Sequence, residues 1–197
     1  MSVVERAKRI IVSPATEWPV IAAESTPTAN LITGYVLPLA GAAAIAAFIG
    51  TVLIGVSVPT LPTYRTPVTT GLIAAVWSVA MAVIGVFVCA FIANALAPTF
   101  GSEKSDAQAL KLAAYSFTPV WVAGLLQIFP PLGILALFAG LYAIYLLYLG
   151  LPVLMHTPAD KAIGYTIVLV VCAVIAMFVI GAIGGLIFGL AAAPRMI

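Results

Sequence analysis

Charge is what this sequence has least of: 197 residues include eight lysines and arginines, six aspartates and glutamates, and one histidine. A soluble globular chain carries about a quarter of its residues charged. At 7% there is too little polar surface for a soluble enzyme or for a nucleic-acid binder with a basic face. Two cysteines, Cys89 and Cys172, are too few for a secreted disulfide scaffold, and neither belongs to a CxxC or Cys/His pair. The lone histidine, His156, has no acidic residue or cysteine spaced to help it hold a metal, so neither metal nor cofactor is expected. A Ser-His-Asp set, an HExxH, a paired intramembrane aspartate and a phosphate-cradling glycine loop are all missing, and the chain is expected not to be an enzyme.

Apolar residues take the place of charge. They make up 64% of the chain, and a helix needs about 20 of them in succession to cross the hydrocarbon core of a bilayer. Uncharged runs at residues 31–57, 68–97, 112–129, 132–155 and 163–193 meet that need. The expected fold is all-α, a polytopic bundle of five transmembrane helices, since an open-ended segment in lipid satisfies its backbone only as a helix. Residues 31–197 are then one membrane domain and residues 1–30 a cytoplasmic amphipathic segment. The third run is short and carries Pro119 near its middle, which predicts a kink. Pro130-Pro131 predicts a tight hairpin between the third and fourth spans, and prolines at 59, 62 and 67 predict an extended 58–67 link. The second and fifth runs exceed the minimum length, which implies tilt or extension into the headgroups.

Five alternating crossings place the N-terminal segment and the 98–111 and 156–162 loops on one side, with Arg6, Lys8, Arg9, Lys104, Lys111 and Lys161, against Arg65 and Arg195 on the other. Lysine and arginine prefer the cytoplasm. The expected placement is a bacterial cytoplasmic membrane, N-terminus inside and C-terminus outside. The first 30 residues are not a secretory signal, because Pro14, Glu17, Pro19, Glu24 and Pro27 interrupt any apolar core. Val3, Ala7, Ile10 and Ile11 recur at helical spacing, with charge on the other side. That pattern predicts a helix on the membrane surface, its apolar face toward lipid and Arg6, Lys8 and Arg9 toward anionic headgroups. A second short helix after Ser13-Pro14 is expected to hold Trp18 at headgroup depth.

Within the spans the strongest polar groups are Asn94, Tyr115, Ser116, Gln127, Tyr142, Tyr145 and Tyr148, the last three sharing a face of span four. They read as interhelical hydrogen-bonding groups, or else as the lining of a solute path. Small residues recur every fourth position at Gly181, Gly185 and Gly189, at Ala42, Ala46 and Gly50, and at Ala74, Ser78 and Ala82. Such stripes let helices approach closely, here preferentially within the bundle and otherwise against a second copy.

Three segments carry a family resemblance: ERAKRIIVSPATEWPVIAAE, LAPTFGSEKSDAQALKLAAYSFTPVWVAGLLQIFPPLG and LYAIYLLYLGLPVLMHTPADKAIGYT. In order and in their Y-x-x-x-P and G-L-P-x-x-M-x-x-P patterns they resemble the Yip family of Ypt/Rab-interacting five-pass membrane proteins, in its prokaryotic branch. Eukaryotic relatives act in vesicle traffic and associate with Rab GTPases through a longer N-terminal domain bearing an acidic, tyrosine-containing motif near D-L-Y-G-P. The sequence shows neither that length nor that motif, and a prokaryotic source has no such vesicle system, so Rab binding is not expected. The resemblance supplies no catalytic residues. It implies a non-enzymatic membrane-organising or adaptor protein whose cytoplasmic face docks a protein partner or lipid. The alternative is a small passive permease or channel for an uncharged solute or ion, lined by spans three and four.

Overall fold

Each long apolar run becomes a helix, because hydrocarbon offers the backbone no partner but itself. The computed structural model describes the backbone of residues 2–55 and 64–192, and the side chains among these up to Ala182. Two short helices, α1 (Val3–Val12) and α2 (Pro14–Ala23), precede five helices long and apolar enough to cross a membrane. Those are span one (Thr28–Ile54), span two (Val68–Phe100), span three (Asp106–Ile128), span four (Pro130–Leu154) and span five, whose Ala162–Ala182 meets the criterion and whose helix runs to Ala192. No strand occurs among the described residues. Of the 58–67 link, only Tyr64–Pro67 is described; Thr66 there donates its backbone N–H to the Thr51 carbonyl at 3.0 Å.

Local chemistry marks the irregular points. Pro38 has no N–H to give and its ring presses on the carbonyl four residues back, so the turn before it, Ile32–Val36, widens to π-helical bonding. Span one ends in a second widened stretch, Ile49–Ile54, closed by Gly55 at φ +88°, where a side chain would be strained. Span three breaks at Phe117, between Asp106–Ser116 and Thr118–Gly124, because Pro119 tolerates only the first turn of a helix. Its α-helix ends there in a 3-10 turn, Leu125–Ile128. Phe129 then adopts an extended conformation before Pro130 starts span four, which makes the hairpin.

That break decides the architecture. Span one packs on spans two and three, span two on five, five on four, and four on three, closing a ring. The first half of span three, Asp106–Ser116, also contacts spans two and four and fills the axis at the N-terminal end, with every residue from Ala109 to Ser116 buried. Accordingly 67% of span three's apolar window is buried, against 17–28% in the other four spans. Beyond Phe117 the helix swings into the ring. The far halves of the other spans turn Ile73, Val76, Phe138, Leu141, Val174 and Phe178 outward, as lipid-facing surface does.

Two expectations about this bundle need correction. Span three starts at Asp106, so Lys111 lies inside it, not in a loop. The small-residue stripes also differ in use: Gly50 abuts span three and Ala46 is buried, but Ala42 is exposed, and Ser78 and Ala82 line a cavity. A side chain at Gly181 would meet nothing within 4 Å, so among the described residues no neighbouring helix packs on that glycine. The surroundings of Gly185 and Gly189, like Arg195, lie outside the described residues.

Candidate functional site

The polar chemistry of the molecule gathers at the N-terminal end, where α1 and α2 dock onto the bundle. Ser2 caps α1 by accepting from the Glu5 amide at 3.2 Å, and Glu5 and Arg9, paired at 2.6 Å, lie one turn apart on its exposed side. The opposite side carries Ala7 and Ile10, both buried, and Arg6, 7% exposed. The Arg6 guanidinium donates to Glu17 at 2.5 Å and to Glu24, and lies 5.9 Å from the centre of the Tyr115 ring. Burial would lower the Arg6 pKa, but the hydrogen bond and charge of Glu24, with Tyr115 and Glu17, carry it above its usual value. The guanidinium therefore stays charged and binds both helices of the arm.

The bundle supplies what the arm lacks. A helix leaves its last carbonyls without intrahelical partners. Those of α2 are met by span three: Lys111 Nζ donates to the carbonyls of Ile21, at 3.1 Å, and Glu24, and the Gln108 amide donates to that of Ala22 at 3.2 Å. The Ile11 carbonyl at the end of α1 accepts from the Tyr142 hydroxyl at 2.6 Å. Cations also suit the negative end of a helix dipole, which accounts for a buried lysine here. Trp18 is fully buried, and a side chain added at Gly150 would meet it at 2.9 Å and Leu112 at 2.5 Å. Gly150 thus leaves the space that Trp18 fills.

The expected lipid contacts are corrected accordingly. Arg6 and Trp18 point into the protein, and Ala7 and Ile10 meet the bundle; only Lys8, Arg9 and their exposed neighbours remain on the surface. Periodicity identifies an apolar face but not what lies beneath it, and a bundle end is as apolar as lipid. Glu17 and Glu24, one heptad apart, were the available signal that a cation must come to this face.

The polar residues of the spans do not gather into one stripe. Asn94 sits near the end of span two, where its amide donates to Asp106 and accepts from the Ser105 backbone N–H at 2.9 Å, holding the start of span three. Tyr115 packs in a tilted arrangement against Tyr35 at 4.7 Å between ring centres, and the Tyr35 hydroxyl bonds to Thr118 at 2.8 Å. Tyr142 contacts the Tyr145 ring at 5.6 Å, while Tyr145 is exposed and Tyr148 half-buried. Gln127 is alone at the far end, with no hydrogen bond to its side chain among the described residues. Asn94→Leu is expected to lower stability by about 1 kcal/mol and Gln127→Leu by less, read as melting temperatures in detergent.

Beside the arm, two loops are zipped together. Ser102 bonds to Thr157 at 2.9 Å, the Glu103 amide to the Met155 carbonyl at 2.9 Å, and Glu103 pairs with His156 at 3.1 Å. Gly101, at φ +68°, makes the turn that lets these loops meet. Arm and loops together bear Glu5, Lys8, Arg9, Glu103, Lys104, Asp160 and Lys161, all exposed. Among the described residues no cluster of His, Cys, Asp or Glu is suited to a metal, and Cys89 and Cys172 are both free.

A bundle of five apolar helices under a docked helical arm defines a polytopic membrane protein. The Yip1 domain model matches residues 8–192, and the chain belongs to that family. It is 30% identical over 156 residues to the inner membrane protein YohC of Escherichia coli K12, covering 78% of this chain and 80% of the relative. The protein of the same name from E. coli O6:H1 gives the same figures. No solved structure matches the chain.

Proposed function

We propose that the chain is a non-enzymatic membrane-organising or adaptor protein of a bacterial inner membrane, its N-terminal end cytoplasmic, presenting the arm-and-loop surface to a membrane or cytoplasmic protein. The observation that carries this reading is that the arm is fastened: three side chains of the bundle, Gln108, Lys111 and Tyr142, and a buried arginine hold α1 and α2 at fixed positions. A rigid, mixed-charge surface costs little to order on binding. Transport is less well supported, because the axial half of span three, Ala109–Ser116, is buried where a solute would pass. Placement in an inner membrane agrees with the name of the E. coli relative.

Two measurements test it. In liposomes the purified protein is expected to leave the flux of ions and small uncharged solutes at the protein-free level. In cells, a photoreactive side chain at Lys8 or Lys104 is expected to crosslink to a second protein, and one at lipid-facing Leu137 is not. Lys8→Glu with Arg9→Glu should abolish the crosslink from Lys104 while shifting stability by less than about 0.5 kcal/mol, as exposed sites do. Flux above the protein-free level, or no crosslink from this surface, would refute the proposal.

A further inference from the structure

Where span three leaves the axis at Phe117, the far half of the bundle contains a cleft of about 370 Å³, within the range of ligand pockets. Its walls are spans one, two and three, with Met177 of span five, and no residue of span four lines it. The space exists because the helices present small groups to it: Ala40, Ala43, Ala44 and Ala47 from span one, Ala82 and Gly85 from span two. From Ala40 to Ala47 the helical rise gives a height of about 10 Å along the bundle. The cleft is a slot parallel to the helices, not a round vestibule.

Two polar side chains reach it, and they differ. The Ser78 hydroxyl already donates to the Ala75 carbonyl at 2.8 Å. The Gln127 side chain, one residue from the end of span three, is only half-buried and has no hydrogen-bond partner among the described residues. An amide at the edge of hydrocarbon gains from a hydrogen-bond acceptor, and a slot lined by small residues offers dispersion contacts along its length. Water does not suit the slot, because it needs two to four polar partners. Among the described residues the outer surface of this half is apolar, with Ile73, Val76, Val174 and Phe178 exposed, so the medium around the slot is lipid.

The geometry points to a lipid site: one acyl chain of a phospholipid lies in the slot against Trp121 and the span-one alanines, and the Gln127 amide donates to that lipid's ester carbonyl. The occupant belongs to the leaflet at the far end, where Gln127 sits at the depth of ester groups and the chain runs inward toward Phe117. This site is remote from the arm-and-loop surface and stands or falls separately from the adaptor reading.

The full chain, reconstituted in vesicles of an ether-linked phosphatidylcholine, which offers no ester carbonyl, with rising fractions of an ester-linked phosphatidylcholine brominated on its acyl chains, tests this through Trp121 fluorescence. The Trp121 signal is taken as the difference between the parent and Trp121→Phe, which cancels Trp18 and Trp77. Quenching is expected to saturate while most of the bulk lipid is unbrominated. Ala82→Phe or Ala47→Leu, which fill the slot, should remove the saturating component. Gln127→Ala, which removes one hydrogen bond without filling space, should raise the half-saturating fraction about two- to tenfold. Should the filling variants fail to fold, Gln127→Ala decides. Quenching proportional to bulk composition would mean ordinary lipid contact only. Saturation unchanged in the variants would place the lipid elsewhere, and dependence on protein density would assign the slot to a second copy. Each of these outcomes overturns the site.

Discussion

Arg6→Ala is expected to lower the stability of the protein by about 3–5 kcal/mol, as read by thermal unfolding in detergent. The substitution removes a few contacts of its own; most of the loss comes from Glu17, 4% exposed, and Glu24, which are left without the cation they face. Lys111 cannot take over, because its ammonium is committed to the carbonyls at the end of α2. The arm should then open, and proteolysis between residues 1 and 24 should become rapid while the spans remain protected. A triple variant with Arg6→Met, Glu17→Leu and Glu24→Leu should be far less damaged than Arg6→Ala, because an apolar set of similar volume leaves no buried charge. If the single and triple variants melt alike, the network is not what fastens the arm.

Gly50→Ala should cost about 3 kcal/mol, the upper part of the range for overpacked sites. A Cβ there would overlap the Gln127 carbonyl oxygen, and behind it stands the Ile128 carbonyl at 3.0 Å. Backbone cannot rotate aside as a flexible side chain does, so spans one and three must separate. At Gly85 the same change meets only the mobile end of Met177 at 3.4 Å and should be nearly neutral. Equal melting temperatures for Gly50→Ala and Gly85→Ala would mean that spans one and three do not approach closely at Gly50.

The five spans, the proline hairpin and the irregular third helix were legible because each follows from a local rule: hydrocarbon demands helices, and proline breaks them. Lys111 was misplaced because a search for uncharged runs stops at any charge, and cannot see that the end of α2 brings carbonyls to receive it. Arg6 and Trp18 were read as facing headgroups because an amphipathic helix has the same pattern on lipid and on a bundle end. The scattering of Asn94, Gln127 and the tyrosines depends on the register between helices, which spacing along one helix does not fix.

Span three has a mean hydropathy of 1.3 in its most apolar window, against 2.2–2.8 for the others, and it alone begins with an aspartate and encloses a lysine. A segment so composed enters lipid poorly by itself, since each charge opposes insertion. By the time it leaves the ribosome, the arm and spans one and two have already been made, and these supply part of the surface that buries its first half and the carbonyls that receive Lys111. Synthesis from the N-terminus therefore delivers the socket before the plug. Residues 101–197 made alone would present the plug without its socket, and should be retained poorly in the membrane and degraded; co-expression of residues 1–100 should restore them.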